Sequence, residues 1–434
     1  VLRPDPTSAA RRPEPPRATG RSRGALRHRN YRLFLTGQGI SILGTWLTRF
    51  AVPWMAYRLS GSALMLGLVA FCGQAPTPLV APFAGVLVDR WDRRRAILAL
   101  QVAGMLQSVA LAAFALTGAM AIWHLIVLGA VQAVINAFDI TARQSFMGQM
   151  IDDRGDLPNA IALNASIVNG GRLVGPAIAA VVVDRFGEGP CFAIDAATYL
   201  AVIGSLLMMR VARRPPRPRT GSVLAELAAG LRYVAGLPLV LAALVVLAIA
   251  SVLAGAHAAL LPLIAATTLH GGPGTLGVLM GSSGCGAFTG ALYLARRSTV
   301  RGIPRLILRC MLGLGAALVA LELVTATWIA VPILFVIGLT MVVQIASTNT
   351  LVQALVDDAM LGRVISLHAV AFLGGAAVGA LLEGALADRI GAIHSFAIAG
   401  MLCLATAAGL ATALPRLRQA SRPLYARLGI ADDA

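Results

Sequence analysis

The chain has 434 residues, 58% of them hydrophobic and only 13% charged, with a formal net charge of +17 at pH 7. A soluble domain carries roughly a quarter charged residues, and mean hydropathy here is +0.78, so a soluble enzyme or binding module is excluded. The basic excess, all of it arginine, would suggest nucleic acid in a soluble chain, but its placement points elsewhere.

Residues 1–30 are rich in Pro, Arg and Ala, have no apolar core and read as a disordered tail. A bilayer core takes about 20 apolar residues at the helical rise. With that window the rest divides into twelve spans at 33–59, 63–88, 96–117, 121–148, 160–183, 190–210, 237–266, 273–295, 303–323, 327–353, 364–387 and 393–414. Backbone groups in lipid must be satisfied within a segment, so the fold class is an all-α membrane protein.

Arginines gather before the first span (Arg11 to Arg32), after the second, and between the sixth and seventh (Arg210, Arg213, Arg214, Arg217, Arg219, Arg232). They return at Arg296, Arg297, Arg301 and Arg305, and after the last span at Arg416, Arg418, Arg422 and Arg427. The alternate loops, near Gly61, Thr117, His270 and Thr325, carry almost none. That alternation sets topology: both termini are expected in the cytoplasm, and no nucleic-acid partner is expected. The five scattered cysteines (Cys72, Cys191, Cys285, Cys310, Cys403) read as small hydrophobes rather than a disulfide or metal framework.

Two stretches match each other. "MIDDRGDLPNAIALNASIVNGGRLVGPAIAAVVVDRFG" begins at Met150 and "LVDDAMLGRVISLHAVAFLGGAAVGALLEGALADRIG" at Leu355. Asp152 and Asp153 fall on Asp357 and Asp358; after one gap, Gly171 and Gly175 fall on Gly375 and Gly379, and Asp184, Arg185 and Gly187 on Asp388, Arg389 and Gly391. The expected organisation is therefore a duplicated six-helix unit: an N-terminal half at 31–210, a cytoplasmic linker at 211–236, a C-terminal half at 237–414 and a cytoplasmic tail at 415–434. Paired halves with substrate near the midplane are transporter architecture.

"VDRWDRRR", from Val88, sets six charges between two uncharged runs. A basic topology loop accounts for the arginines but not for Asp89, a carboxylate at the apolar boundary. "GVLVDRWDRRR" resembles the loop signature of the major facilitator superfamily, G-x-x-x-D-R-x-G-R-R. Gly85, Asp89, Arg90, Arg93 and Arg94 match, while Asp92 stands where the family has Gly, which bears on the tight turn. The resemblance implies that the Asp and Arg pair with the neighbouring half and hold a cytoplasmic gate closed.

"GGRLVGPAIAA" resembles the family's antiporter motif: Gly171, Gly175 and Pro176 fit, and Ala179 and Ala180 replace its later glycines. Generic small-residue packing is the alternative; the resemblance implies export. Across most of residues 30 to 413 the chain is similar to the branch that holds macrolide-efflux proteins and the enterobactin exporter. "AFDITARQSFMGQMIDDRGDLPNAIALNASIVNGGRLVGPAI" and "NYRLFLTGQGISILGTWLTRFAVPWMAYRLSGSALMLGLV" carry that likeness. It implies a twelve-helix plasma-membrane exporter of small hydrophobic or amphipathic molecules, driven by the proton gradient without a cofactor. One departure is Gly129 in "GAVQA", where drug–proton antiporters often have an Arg.

Ionisable groups inside spans are functional candidates, because one at mid-helix costs about 2.5–3.5 kcal/mol on insertion scales. Asp139 and Arg143 sit four apart on one helix face and form either a structural ion pair or a proton site. The resemblance places Arg49 and Arg172 near a central cavity or a charge partner. Glu383 is either a proton carrier or the partner of an Arg. The resemblance puts Asp195 on a peripheral helix; His257 reads as a hydrogen-bonded packing residue; and Trp46, Gln344 and Asn349 are candidates to line a substrate path. There is no P-loop, no metal-ligand cluster and no loop long enough for a catalytic module. The expected partners are a small-molecule substrate and membrane lipids, with a monomer or weak oligomer. An uptake carrier, a lipid flippase and a non-transporting receptor or scaffold are the rivals.

Overall fold

The structure, a computed structural model, describes residues 24–88, 91–150, 154–209, 223–255, 257–297 and 302–427; Asp89, Arg90, Asp152, Asp153 and residues 210–222 lie outside them. Secondary structure among these residues is helical throughout. The first six α-helices are α1 (Arg29–Ser60), α2 (Ala63–Gln74), α3 (Pro76–Val88), α4 (Arg93–Leu116), α5 (Ile122–Met150) and α6 (Leu157–Phe186). They are followed by α7 (Gly189–Met208), α8 (Val223–Ala235), α9 (Pro238–Ala254), α10 (His257–Leu263) and α11 (Pro273–Ala295). The last five are α12 (Ile303–Ala320), α13 (Thr327–Leu355), α14 (Asp358–Ala369), α15 (Gly375–Ile390) and α16 (Ala392–Arg427).

Eleven helical stretches among the described residues are long and apolar enough to cross a membrane. Helix α1 is not one of them, since Arg29, Arg32, Arg49 and Arg58 dilute its hydropathy. Three rods are broken. α2 gives way to α3 at Ala75–Pro76, where proline has no N–H to continue the ladder. α10 runs into a π-turn at Ile264–Thr268 just after Pro262, and α14 reaches α15 through a second π-turn at Val370–Gly374.

Three boundaries differ from the sequence reading. Residues 24–30 are not tail: Ala25 is buried and donates its N–H to Asn159 Oδ1 at 2.9 Å, and Asp156 holds Arg27 at 2.8 Å and His28 at 3.1 Å. The linker contains α8. Its Tyr233 hydroxyl donates to Asp357 Oδ2 at 2.7 Å, and burial keeps that phenol above its ordinary pKa, so it remains the donor. The expected tail at 415 is a continuation of α16 to Arg427, a stretch of Leu, Arg, Gln and Ala that favours helix.

The "VDRF" and "ADRI" echoes end α6 and α15. Each is followed by a glycine with positive φ, Gly187 at 79° and Gly391 at 89°, whose N–H closes the last turn on Val183 and Ala387. Arg185 and Arg389 sit in those last turns, where a cation suits the helix dipole. The duplicated glycines also do matching work. Gly171 and Gly175 admit Trp46 of α1 against α6: a Cβ on Gly171 would lie 3.0 Å from Trp46 Cδ1, and one on Gly175 2.7 Å from Trp46 Cγ. Gly375 and Gly379 likewise admit α9, with Ser251 Cβ 2.9 Å and the Val252 carbonyl carbon 2.8 Å from such atoms.

Helices α1 to α7 pack chiefly on one another, as do α9 and α11 to α16. Two seams join these sets: α2 lies along α15, and α6 along α11.

Candidate functional site

Both seams are built on small residues, and both are tight at one end of the bundle only. A Cβ on Gly384 would lie 2.7 Å from the Ala63 carbonyl oxygen and 2.9 Å from Gly67 Cα; one on Gly277 would lie 2.5 Å from Ala180 Cβ. At this end Ser62, the N-cap of α2, donates its hydroxyl to Asp388 Oδ1 at 2.8 Å, and Leu64 N–H reaches the same oxygen at 3.4 Å. Asp388 thus joins the cap of a helix that belongs to the other set, satisfying donors that a helix start leaves open.

Burial follows the same polarity. On α6 Ala160 is buried against Tyr31 of α1, none of residues 161–170 is buried, and the remaining buried positions are Gly171, Gly175, Pro176, Ala179, Ala180 and Val183. Between 376 and 387 most of α15 is buried, yet only Val364 and His368 are buried between 358 and 375. The bundle is closed at the Ser62–Asp388 end and parted toward the end that carries Trp91.

In the middle of the bundle α1, α6 and α10 converge. Arg49 of α1 keeps accessible surface although protein surrounds it on every side, as for a side chain lining an internal space. Its guanidinium stands over the Trp46 ring, 5.2 Å from the centroid, a cation–π distance. Arg172 of α6 is close enough for the two like charges to repel, and His257 of α10 is close enough to feel Arg172. The His257 Nδ1 lies 2.6 Å from the Ala254 carbonyl oxygen; a carbonyl only accepts, so Nδ1 carries the proton and Nε2 is the free ring atom.

The other intramembrane charges are elsewhere. Arg143 Nε donates to Asp139 Oδ2 at 2.6 Å, Gln101 donates to the other carboxylate oxygen at 2.9 Å, and Arg143 also donates to Gln38. Both side chains are about five-sixths buried, 15% and 16% exposed. With both its oxygens engaged, Asp139 belongs to an interlocked network of α1, α4 and α5. Gln38 and Gln101 were not singled out in the sequence, because glutamines in a helix carry no signal of what faces them.

Glu383 is 5% exposed, and neither carboxylate oxygen has a hydrogen-bond partner among the described residues. It sits beside the seam residue Gly384, within electrostatic reach of Cys403 on α16. An ionised carboxylate without a partner carries a desolvation penalty of several kcal/mol. Asp195 of α7 is buried against α1 and α4 and accepts from Ser108 at 2.7 Å. Gln344 is 2% exposed and lies inside the helix packing, so it does not line an open path. Asn349 is half-buried. All five cysteines are free.

The charged loop is only partly described, since Asp89 and Arg90 fall outside. Asp92 has φ −63° and accepts from the Arg95 N–H at 3.0 Å. It is the N-cap of α4, so no left-handed turn is needed where the family has Gly. Arg93 opens α4. Arg94 donates to the Leu206 and Leu207 carbonyls, both at 2.9 Å, closing the end of α7. Trp91 stacks on Phe138 with centroids 6.4 Å apart. Gly85 faces Thr141 across ordinary van der Waals distance.

A family profile described as transmembrane secretion effector matches residues 22–427. The multidrug efflux pump Tap of Mycolicibacterium fortuitum is 26% identical over 398 residues, 88% of this chain and 95% of that protein. The enterobactin exporter EntS of Citrobacter koseri is 24% identical over 396 residues, 91% of this chain and 94% of that protein. Among solved structures, a POT family transporter in complex with 5-aminolevulinic acid superposes with a TM-score of 0.72 at 12% identity, over 90% of this chain and 96% of that one, a likeness of fold.

Proposed function

The chain belongs to the transmembrane secretion effector family of major facilitator transporters, and from that premise we propose that it exports a small hydrophobic or amphipathic molecule by alternating access. Relatives named as a multidrug efflux pump and an enterobactin exporter support the direction. The observation that carries the mechanism is the one-ended closure of the two seams, α2 on α15 and α6 on α11, around an internal space bearing Trp46, Arg49 and Arg172.

In this reading α1 is a twelfth span, and the halves 31–210 and 237–414 rock about the two seams. The arginine distribution places both termini in the cytoplasm of a plasma-membrane protein. The parted end is then cytoplasmic, and the described state awaits substrate from inside. Asp89, Arg90, Arg93 and Arg94 form the gate that closes in the opposite state; a charge pair made in one state alone shifts the balance by its differential energy. Gly171, Gly175 and Pro176 set the close approach of α6 to α1 and α11. The proton gradient is the driving force, with no cofactor. Glu383 is the proton carrier, because its carboxyl is buried beside a moving seam without a partner, whereas Asp139 is held by Arg143 and Gln101. The transporter acts as a monomer or weak oligomer on a small molecule, with lipid around it and no nucleic acid.

The test is efflux of a substrate panel (macrolides, tetracyclines, dyes and siderophores) from pump-deficient cells, with and without a protonophore. Wild type is expected to lower accumulation of at least one compound, the protonophore to abolish this, and Asp89→Asn to impair it at matched expression. Accumulation unchanged across the panel and across the metabolites of the culture medium would refute export.

A further inference from the structure

Three cationic or potentially cationic groups meet in the internal space: Arg49 on α1, Arg172 on α6 and His257 on α10. Neither arginine forms an ion pair among the described residues, and the only charge that reaches Arg172 is that of Arg49. Asp139 is engaged with Arg143 and Asp195 with Ser108, while Glu383 lies within electrostatic reach of Cys403 on α16. Charges surrounded by protein within a membrane span are normally paired. Two repelling guanidinium groups without a counter-ion concentrate positive potential in a low-dielectric space. A guanidinium also offers a fixed fork of donors that matches a carboxylate or phosphate.

Trp46 supplies the other half of a binding site. Gly171 and Gly175 let its indole approach α6 closely, and Arg49 stands over the ring. The site therefore couples an aromatic wall to an anion-binding fork, with His257 Nε2 free as a further polar atom. An apolar wall with a few convergent polar groups is the usual build of a small-molecule site.

We propose that Arg49 and Arg172, backed by Trp46 and His257, form the substrate site, and that the molecule carried is an amphipathic organic anion with an acidic group beside a flat apolar body. The inference rests on reading this space as the transport path and adds the sign of the cargo's charge. Cationic drugs are excluded by the same repulsion that draws the anion in.

The probes are 5-carboxyfluorescein and salicylate as aromatic anions and ethidium as an aromatic cation, titrated onto the purified full chain in neutral detergent. Wild type is expected to bind the anions and not ethidium, with affinity falling as salt rises. Arg49→Gln and Arg172→Gln should each weaken anion binding at least tenfold, with Arg49→Lys retaining part of it. Neither arginine has an ion pair or hydrogen bond to lose among the described residues, and Arg49 gives up only its place over the Trp46 ring, so the Gln variants should melt close to wild type, and 5-carboxyfluorescein should raise the melting temperature of wild type alone. Lower melting of the variants together with unchanged anion affinity would mark the arginines as structural and overturn the proposal. So would an absence of anion binding by wild type, or tighter binding of ethidium. Displacement of 5-carboxyfluorescein by nanodiscs of phosphatidylglycerol, but not phosphatidylcholine, would assign the site to a lipid headgroup and overturn the small-molecule cargo. Efflux is scored separately: anion binding without efflux counts against transport alone, and efflux of ethidium without anion binding counts against the anion site alone.

Discussion

Replacing Gly384 with alanine tests whether the α2–α15 seam is a moving part. A Cβ there would meet the Ala63 carbonyl oxygen at 2.7 Å and Gly67 Cα at 2.9 Å, both backbone atoms that cannot rotate away. Restoring ordinary contact requires the helices to part by roughly 0.5 Å, and overpacking of this kind costs about 1–3 kcal/mol. In the proposed alternating access the seam is closed in the described state alone, so the cost falls on that state and moves the conformational balance about 5- to 150-fold toward the other. The reporter is a cross-link between Ser62→Cys and Asp388→Cys, whose native oxygens are 2.8 Å apart, in a chain with its five free cysteines replaced. Cross-linking should be efficient in that background and block efflux until reduced. Adding Gly384→Ala should lower the yield at limiting oxidant at least fivefold. Gly73→Ala, with nothing within 4 Å of its Cβ, should leave the yield unchanged. Equal yields with and without Gly384→Ala would show that the seam does not open and would refute the reasoning.

Three other expectations follow from the same geometry. Arg94→Ala removes two bonds to the end of α7 and should destabilise the protein by about 1–2 kcal/mol, given their partial exposure; an unchanged melting curve would mean the α7 cap contributes nothing. Asp139→Asn leaves Arg143 without its carboxylate in a mostly buried setting and should lower stability by about 1–3 kcal/mol. Adding Arg143→Gln should recover part of that loss, and a double variant no better than the single would argue against the pair as the stabilising unit. Glu383→Gln removes no hydrogen bond, so yield and melting should match wild type while efflux loses its response to an imposed pH gradient; retention of that response would acquit Glu383 as the proton carrier.

Much of the helical layout was legible because the bilayer imposes a length and polarity rule on each segment independently. The 273–295 span coincides with α11, and most others agree to within a few residues. The repeat was legible for a similar reason: Gly187 and Gly391 need positive φ whatever surrounds them, and that local demand keeps the "DR-x-G" echo visible. The π-turns after α10 and between α14 and α15 were not, because a π-turn is a compromise between a helix and its neighbours. The site divided in the same way. Asp139 and Arg143 could be paired from their spacing, since both lie on one helix face. The partners of Asp388 lie more than 300 residues away, on Ser62 and Leu64, and no spacing rule reaches across the seam.

The sequence by itself determined an all-helical membrane chain and the residues in which charge would be costly, since each follows from local transfer energies and backbone geometry. Only the tertiary structure decided which charges have partners. Arg143 and Arg172 look alike on paper, both single arginines within apolar helices; one meets Asp139 at 2.6 Å, and the other has no ion pair among the described residues and feels the like charge of Arg49. Whether a buried charge is structural or available to a ligand depends on what the fold brings within a few ångströms, and helix packing alone sets that.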